Sequence, residues 1–437
     1  MSIEHQSAAN VAETQVEVAT THSKNWQKQD TTWMLGLYGT AIGAGVLFLP
    51  INAGIGGLWP LLVMLVLAFP MTYYSHRALC RFVLSGSSKK DDITEVVEEH
   101  FGRVSGQVIT LLYFLAIWPI LLMYSVAITN TTESFMVHQL GMTAPPRIIL
   151  SLVLILALMG VVRFGQQMIV KAMSILVYPF VAVLMLLALY LIPNWSTELF
   201  TQASLTGSAA GEDGFWMSMW LIIPVMVFSF NHSPIISSFA VDQKQRYGKG
   251  ADNKSSRILK YSHIMMLATV MFFVFSCVLS LNPADLAEAK AQNISILSYL
   301  ANHFSTPVLA YAAPIVAFIA ISKSFLGHYL GASEGLHGII VKHLRNSKKT
   351  VKEKNLQRFV VLFMLLSCWI VATINPSILG MIETLGGPVI AMILFIMPMY
   401  AIHRIPALKS YKGKLSNVFI TLMGLVAISA IIYGLFA

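Results

Sequence analysis

Two apolar stretches of this chain carry residues that could do chemistry. The first is VFSFNHSPII, residues 227–236, in an otherwise greasy run from 215 to 241. Ser229, Asn231, His232, Ser233 and Pro234 cluster at its centre. Backbone polar groups in hydrocarbon must be paired within a helix unless they line a cavity, so the cluster predicts a broken helix. Ser233-Pro234 reads as a helix start, serine at the N-cap and proline at the first helical position. The residue before a proline also avoids the α conformation. One helix is therefore expected to stop near Ser229 and a second to begin at Ser233. The second stretch is LGLYGTAIGAGVLFLP, residues 35–50, where Gly43-Ala44-Gly45 permits either unwinding or close helix packing.

Two broken helices offer polar partners of opposite sign to a small ligand. Helix N-termini present free N–H groups to a carboxylate, and C-terminal carbonyls attract an ammonium. The amides of Gly43, Ala44 and Gly45 are candidate carboxylate partners, with Thr40 beside them. The carbonyls of Ala41, Phe228 and Ser229 are candidate ammonium partners. Asn231, His232 and Ser233 could bond a substrate hydroxyl, and a site built for a hydroxyl rejects analogues that lack one. They could equally do no more than pair the broken backbone.

Two ionisable residues stand apart. Lys323, in FIAISKSFLGHYL, lies well inside an apolar segment. An intramembrane amine is a functional candidate by default and could bind and release a proton during a transport cycle. Alternatively its long stem could carry the amine to the membrane surface. Glu383, just before Gly386-Gly387-Pro388, is either an outer gate, a second proton carrier or an interface residue.

The elements that must hold these residues are membrane helices. The 437-residue chain is 56% hydrophobic and 11% charged, with mean hydropathy +0.69, where a soluble domain carries about 25% charged residues. A bilayer core needs about 20 apolar residues of helix. Eleven segments qualify, near residues 33–52, 58–84, 107–137, 148–162, 168–192, 215–241, 261–281, 307–330, 359–373, 378–402 and 418–436. No alternating barrel strands are present, so the expected fold class is all-α integral membrane. Residues 1–32 are polar and read as a cytoplasmic tail. Of the 29 Lys and Arg, 26 fall on one side of this topology, 2 on the other, and Lys323 lies within a span. By the positive-inside rule the N-terminus is expected in the cytoplasm and the C-terminus outside. The net charge of +9 is thus a topology signal rather than a sign of nucleic-acid binding. Cys80, Cys277 and Cys368 are scattered, so neither a disulfide framework nor a metal site is expected.

The interrupted segments are the first and the sixth. Five is odd, so matching units would enter the membrane in opposite directions, as in secondary transporters with a site at midplane. The expected halves are residues 33–192 and 215–402, with an eleventh helix over 415–437. Gly327, Gly331 and Gly335, at four-residue spacing, are expected to seat the eighth segment tightly against a neighbour.

GTAIGAGVLFLP (39–50), VFSFNHSPIISSF (227–239), KSFLGHYLG (323–331) and IETLGGP (382–388) together resemble the hydroxy and aromatic amino acid permease family, most closely its serine/threonine branch. The resemblance runs over about residues 28–436. It implies the inverted-repeat fold of LeuT-type carriers, a bacterial inner membrane, and proton-driven import of serine, with no cofactor beyond the proton. In the family an aromatic residue replaces the histidine of SFNHSP in threonine-preferring members, so His232 favours serine. The resemblance also places the Lys323 amine where sodium-driven relatives hold a sodium ion. Other classes fit less well. A channel would want a filter loop or rings of like residues, a sensor would want an output domain, and neither G-x-S-x-G nor H-E-x-x-H is present for an enzyme.

Overall fold

The computed structural model describes residues 25–42, 44–55, 57–162, 165–201, 214–304, 306–347, 351–382 and 386–436. Among these the chain is helical, without a strand. The first apolar segment is a pair, α1 (Lys28–Ala41) and α2 (Ala44–Ile55). Then come α3 (Leu58–Leu84), α4 (Ile93–Ser134), α5 (Arg147–Val162) and α6 (Gln166–Tyr190). The sixth segment is again a pair, α7 (Gly214–Ser229) and α8 (Ser233–Tyr247). It is followed by α9 (Ala251–Ser280), the short α10 (Pro283–Ala291) and α11 (Ile296–His303), then α12 (Pro307–Asn346) and α13 (Glu353–Ile374). The tenth segment is a chain of short pieces: a turn at Ile378–Met381, α14 (Gly387–Ala391), a π-helical turn at Met392–Ile396, and α15 (Met397–Arg404). α16 (Leu415–Phe436) completes the set.

Every expected apolar segment is thus occupied by helix. Seven described helices are long and apolar enough to cross a membrane, or eight counting α1 and α2 as one bent span; α5 and part of α16 form shorter apolar helices. Segment four is helical over Arg147–Val162, and the helix of segment nine starts upstream of its apolar run, at Glu353. The start of α4, just after Asp92, precedes its apolar run. Asp92 caps the helix, its carboxylate accepting from the N–H groups of Thr94 and Glu95, and Gly102 breaks the regular backbone at φ 78°.

The polar contacts sort the loops onto two faces. On one, Lys254 pairs with Asp30 at 2.6 Å with both side chains fully buried, Arg81 meets Asp252 at 2.7 Å, and Arg345 reaches Glu98. These join the tail and the loops after the second, sixth and eighth segments, which are the basic ones. On the opposite face Arg147 donates to Glu133 and Asn130, and Asn130 donates to the Asn293 carbonyl and to Asn375. The loops assigned by charge to one side do share one face.

The core lies between these faces and is built from α1–α4, α6–α9 and α12, whose apolar side chains form one continuous cluster. α12 packs along α4, α6, α8 and α1 and is the central column. Cys80, Cys277 and Cys368 are buried and free.

Candidate functional site: two broken helices face each other

The first break falls at the glycine motif. The last α-helical bond of α1 runs from the Ile42 N–H to the Tyr38 carbonyl at 3.1 Å, and Ile42 turns extended at φ −88°, ψ 100°. Gly43 lies outside the described residues, and α2 opens at Ala44. The axes before and after differ by 50°, so the segment is truly bent here rather than merely small enough to pack. The first amides of a helix have no carbonyl partner within it, and those of α2 open at this break. Ala41 ends α1, and Thr40 turns its hydroxyl to the Gly36 carbonyl of its own helix.

The second break differs from expectation in its cap. The N-cap of α8 is His232, at φ −136°, ψ 25°, while Ser233 is already helical. The reason is Asn231, whose side-chain oxygen accepts the Ser233 N–H at 3.0 Å. An Asn that bonds the backbone two residues on forms a turn of its own and outcompetes a serine cap. On the α7 side, Phe230 N–H still reaches the Met226 carbonyl, and Asn231 N–H reaches that of Phe228. The Phe228 carbonyl is therefore already engaged through one lone pair.

The two breaks touch. The Ser229 hydroxyl donates to the Gly45 carbonyl at 3.1 Å. A Cβ on Gly45 would lie 2.9 Å from the Ser229 Cα and 3.2 Å from the Phe228 ring, so only glycine allows this approach. The other edge of the Phe228 ring meets Gly386, and Gly387 sits on the Pro224 carbonyl. Gly386-Gly387-Pro388 thus seats the tenth segment against α7.

α12 clamps both breaks from the side. Ser324 donates to the Thr40 carbonyl at 3.0 Å, Gly327 lies against the Thr40 side chain, and Gly331 lies against Pro234. Two glycines of the ladder expected from spacing, Gly327 and Gly331, serve this contact, and the third, Gly335, lies against Phe114 of α4. Next to Ser324, Lys323 is fully buried. Its amine stands 4.0 Å from the centre of the Phe180 ring on α6 and has no hydrogen-bond partner among the described residues. It does not reach the membrane surface. Ring quadrupoles attract ammonium groups, and Phe180 is the partner that the sequence did not reveal. Glu383 lies outside the described residues.

Several buried polar atoms around the breaks lack partners among the described residues: Asn231 Nδ2, His232 Nε2, Ser322 Oγ, Lys323 Nζ and His328 Nε2. Leaving such atoms unpaired costs about 1–3 kcal/mol each, which marks this region as built for polar company. Thr40, Ala41, Gly45, Phe228, Ser229, Asn231 and Ser233 all belong to the paired breaks. The His232 ring is drawn elsewhere. It stacks on His76 of α3, ring centres 3.7 Å apart, with His263 of α9 at 4.7 Å. His76 and His263 were missed in the sequence, although each closes a Tyr-Ser-His tripeptide, at 74–76 and 261–263.

Comparison with known proteins agrees with this architecture. The profile of the Tryptophan/tyrosine permease family matches residues 32–434. A protein named serine transporter SdaC from Escherichia coli (strain K12) is 68% identical over 412 residues, covering 94% of this chain and 96% of that one. A threonine/serine transporter TdcC from Escherichia fergusonii is 50% identical over 427 residues, again covering 94% and 96%. Among solved structures, a manganese transporter from Eremococcus coleocola superposes with TM-score 0.62 at 14% identity, over 93% of this chain and 87% of that one. The fold is that of LeuT-type carriers, and the chain belongs to the tryptophan/tyrosine permease family, as a multi-pass membrane transporter and not an enzyme.

Proposed function

We propose that this protein imports L-serine, with L-threonine as a second substrate, by proton symport through alternating access in a bacterial inner membrane. In this reading the N-terminus is cytoplasmic and the C-terminus periplasmic, as the distribution of Lys and Arg suggests. The first ten segments act as two inverted five-helix units, and no cofactor beyond the coupling proton is required. The identity to proteins named serine and threonine/serine transporters supports the substrate class.

The observation that carries the reading is the contact between the breaks, where Ser229 meets the Gly45 carbonyl. The amides at the start of α2 would hold the substrate carboxylate, and the carbonyls ending α1 and α7 the ammonium. Asn231 Nδ2, a buried donor without a partner among the described residues, would donate to the oxygen of the substrate hydroxyl. A substrate without that hydroxyl would leave the donor stranded. Lys323 would carry the proton: its amine is buried, faces Phe180, and adjoins the Ser324–Thr40 bond that fixes the first break. Each charge moved inward gains about 2.3 kcal/mol per 100 mV of membrane potential.

The test is uptake of labelled serine into proteoliposomes under an imposed pH gradient, with threonine, alanine and tryptophan as competitors at two pH values. Accumulation driven by the proton gradient, with competition strongest from threonine, is expected. Accumulation that requires sodium, or binding without accumulation, would overturn the assignment; the latter would indicate a sensor.

A further inference from the structure

Three buried imidazoles meet beside the second break, apart from Lys323. His76 lies on α3, His232 caps α8, and His263 lies on α9; none is more than 2% exposed. One ring nitrogen of each lies within 4.8 Å of the other two. In all three, Nδ1 faces a backbone carbonyl: Thr72 for His76, Phe230 for His232 and Leu259 for His263. A carbonyl only accepts, so the hydrogen-bond network assigns each Nδ1 the hydrogen and each Nε2 a lone pair. Three acceptors are thus gathered around a single donor. The His232 backbone N–H serves His76 Nε2 at 3.1 Å. Nε2 of His232 and Nε2 of His263 have no partner among the described residues.

We propose that this cluster is a second proton-binding site, taking up one proton at Nε2 of His232 or Nε2 of His263. The proposal rests on the proton-driven reading above and adds a site to it. The proton bonds covalently to one of these lone pairs. No bond breaks, the cluster gains one positive charge, and that nitrogen turns from a stranded acceptor into a donor. A metal ion suits the cluster less well. The His76 and His232 rings are parallel within 5°, so their in-plane lone pairs run side by side instead of converging, and that of His76 already holds a donor.

The surroundings fit a proton. Among the described residues, the ionisable side chains facing the three rings are one another, Tyr73 on α3 and His328 on α12. α7 and the tenth segment contribute the apolar Met226, Phe230, Leu394 and Phe395. A cavity of about 10 Å³ beside His76, Thr72 and Ser75 is close to the size of a single water. The site is also wired to the break. His232 caps α8, and its Nδ1–H is held by the Phe230 carbonyl within the interruption. Proton gain at His232 therefore acts on the two residues that set the geometry of the broken helix.

The direct test is an NMR pH titration, between about pH 8 and pH 5, of protein labelled with ¹⁵N-histidine in lipid nanodiscs. Two Nε2 signals changing together in the wild type, and absent in His263→Gln, are expected. In proteoliposomes His263→Gln should retain serine–serine exchange while accumulation driven by the pH gradient falls to the level seen without one. Three rings that stay neutral throughout the titration would overturn the proposal. So would unchanged gradient-driven accumulation in His263→Gln, or Zn²⁺ binding by the wild type that the substitution abolishes. If wild-type serine uptake proves independent of protons, the proposed function fails, and the titration still decides the histidine site by itself.

Discussion

Gly331 of α12 lies against Pro234 of α8 so closely that a Cβ would come within 2.7 Å of the proline Cβ and 2.9 Å of its carbonyl oxygen. One helix thereby holds the start of the second broken half, while its Ser324 and Gly327 hold the end of the first. The two interruptions are positioned from the same column.

Gly331→Ala should test that column. The nearest atoms include backbone, which cannot swing away, so overpacking should cost about 1–3 kcal/mol. Lower thermal stability in detergent and reduced serine uptake are the expected readouts. Gly160→Ala is the control: its Cβ would meet nothing within 4 Å, and it lies in a helix. It should stabilise by up to about 1 kcal/mol and leave uptake unchanged.

Asn231 has two separable roles. Its Oδ1 holds the Ser233 N–H, and its Nδ2 has no partner among the described residues. Asn231→Asp keeps the acceptor and removes the donor. Folding should survive, while serine affinity should fall by roughly ten- to a hundredfold, the loss expected for about 1–3 kcal/mol of a hydrogen bond. Asn231→Ala should lower thermal stability as well. Binding measured by scintillation proximity on purified protein separates the two; equal affinity in Asn231→Asp would remove Nδ2 from the site.

Lys323→Met keeps most of the volume and removes the charge. Serine–serine exchange should persist, and uphill accumulation should be lost. Phe180→Leu, which removes the ring facing the amine, should weaken coupling more mildly, since an ammonium–ring contact is worth about 0.5–2 kcal/mol. Concentrative, pH-independent uptake by Lys323→Met would remove the lysine from the mechanism.

The pair of Asp30 and Lys254 ties α1 to α9 with both side chains fully buried. Tyr247 also donates to Asp30, at 2.8 Å. Removing one partner strands a buried charge and should cost about 3–5 kcal/mol, whereas removing both can be nearly neutral. Lys254→Met alone should therefore melt well below the double variant Asp30→Leu/Lys254→Met.

Much of the architecture was legible in the sequence because the bilayer imposes one-dimensional rules. An apolar run of sufficient length must be helix, and basic residues must share a face. Glycines four apart must mark a close helix contact. These rules placed both breaks, the α12 ladder and the loop faces. They placed Ser233 at the cap, one residue late, because Asn231 and Ser233 both offer a side-chain oxygen and only the folded backbone shows which one takes the N–H.

What the sequence by itself determined is the membrane class and the two interruptions, since these follow from local composition and from the need to pair backbone in hydrocarbon. What only the tertiary structure decided is the company each polar residue keeps. Lys323 could have reached the surface; packing buries it against Phe180 from another helix. His232 could have lined the break; instead it joins His76 and His263, which lie 156 residues before it and 31 after it. Such contacts depend on how helices pack across the bundle, and no local period in the chain records them.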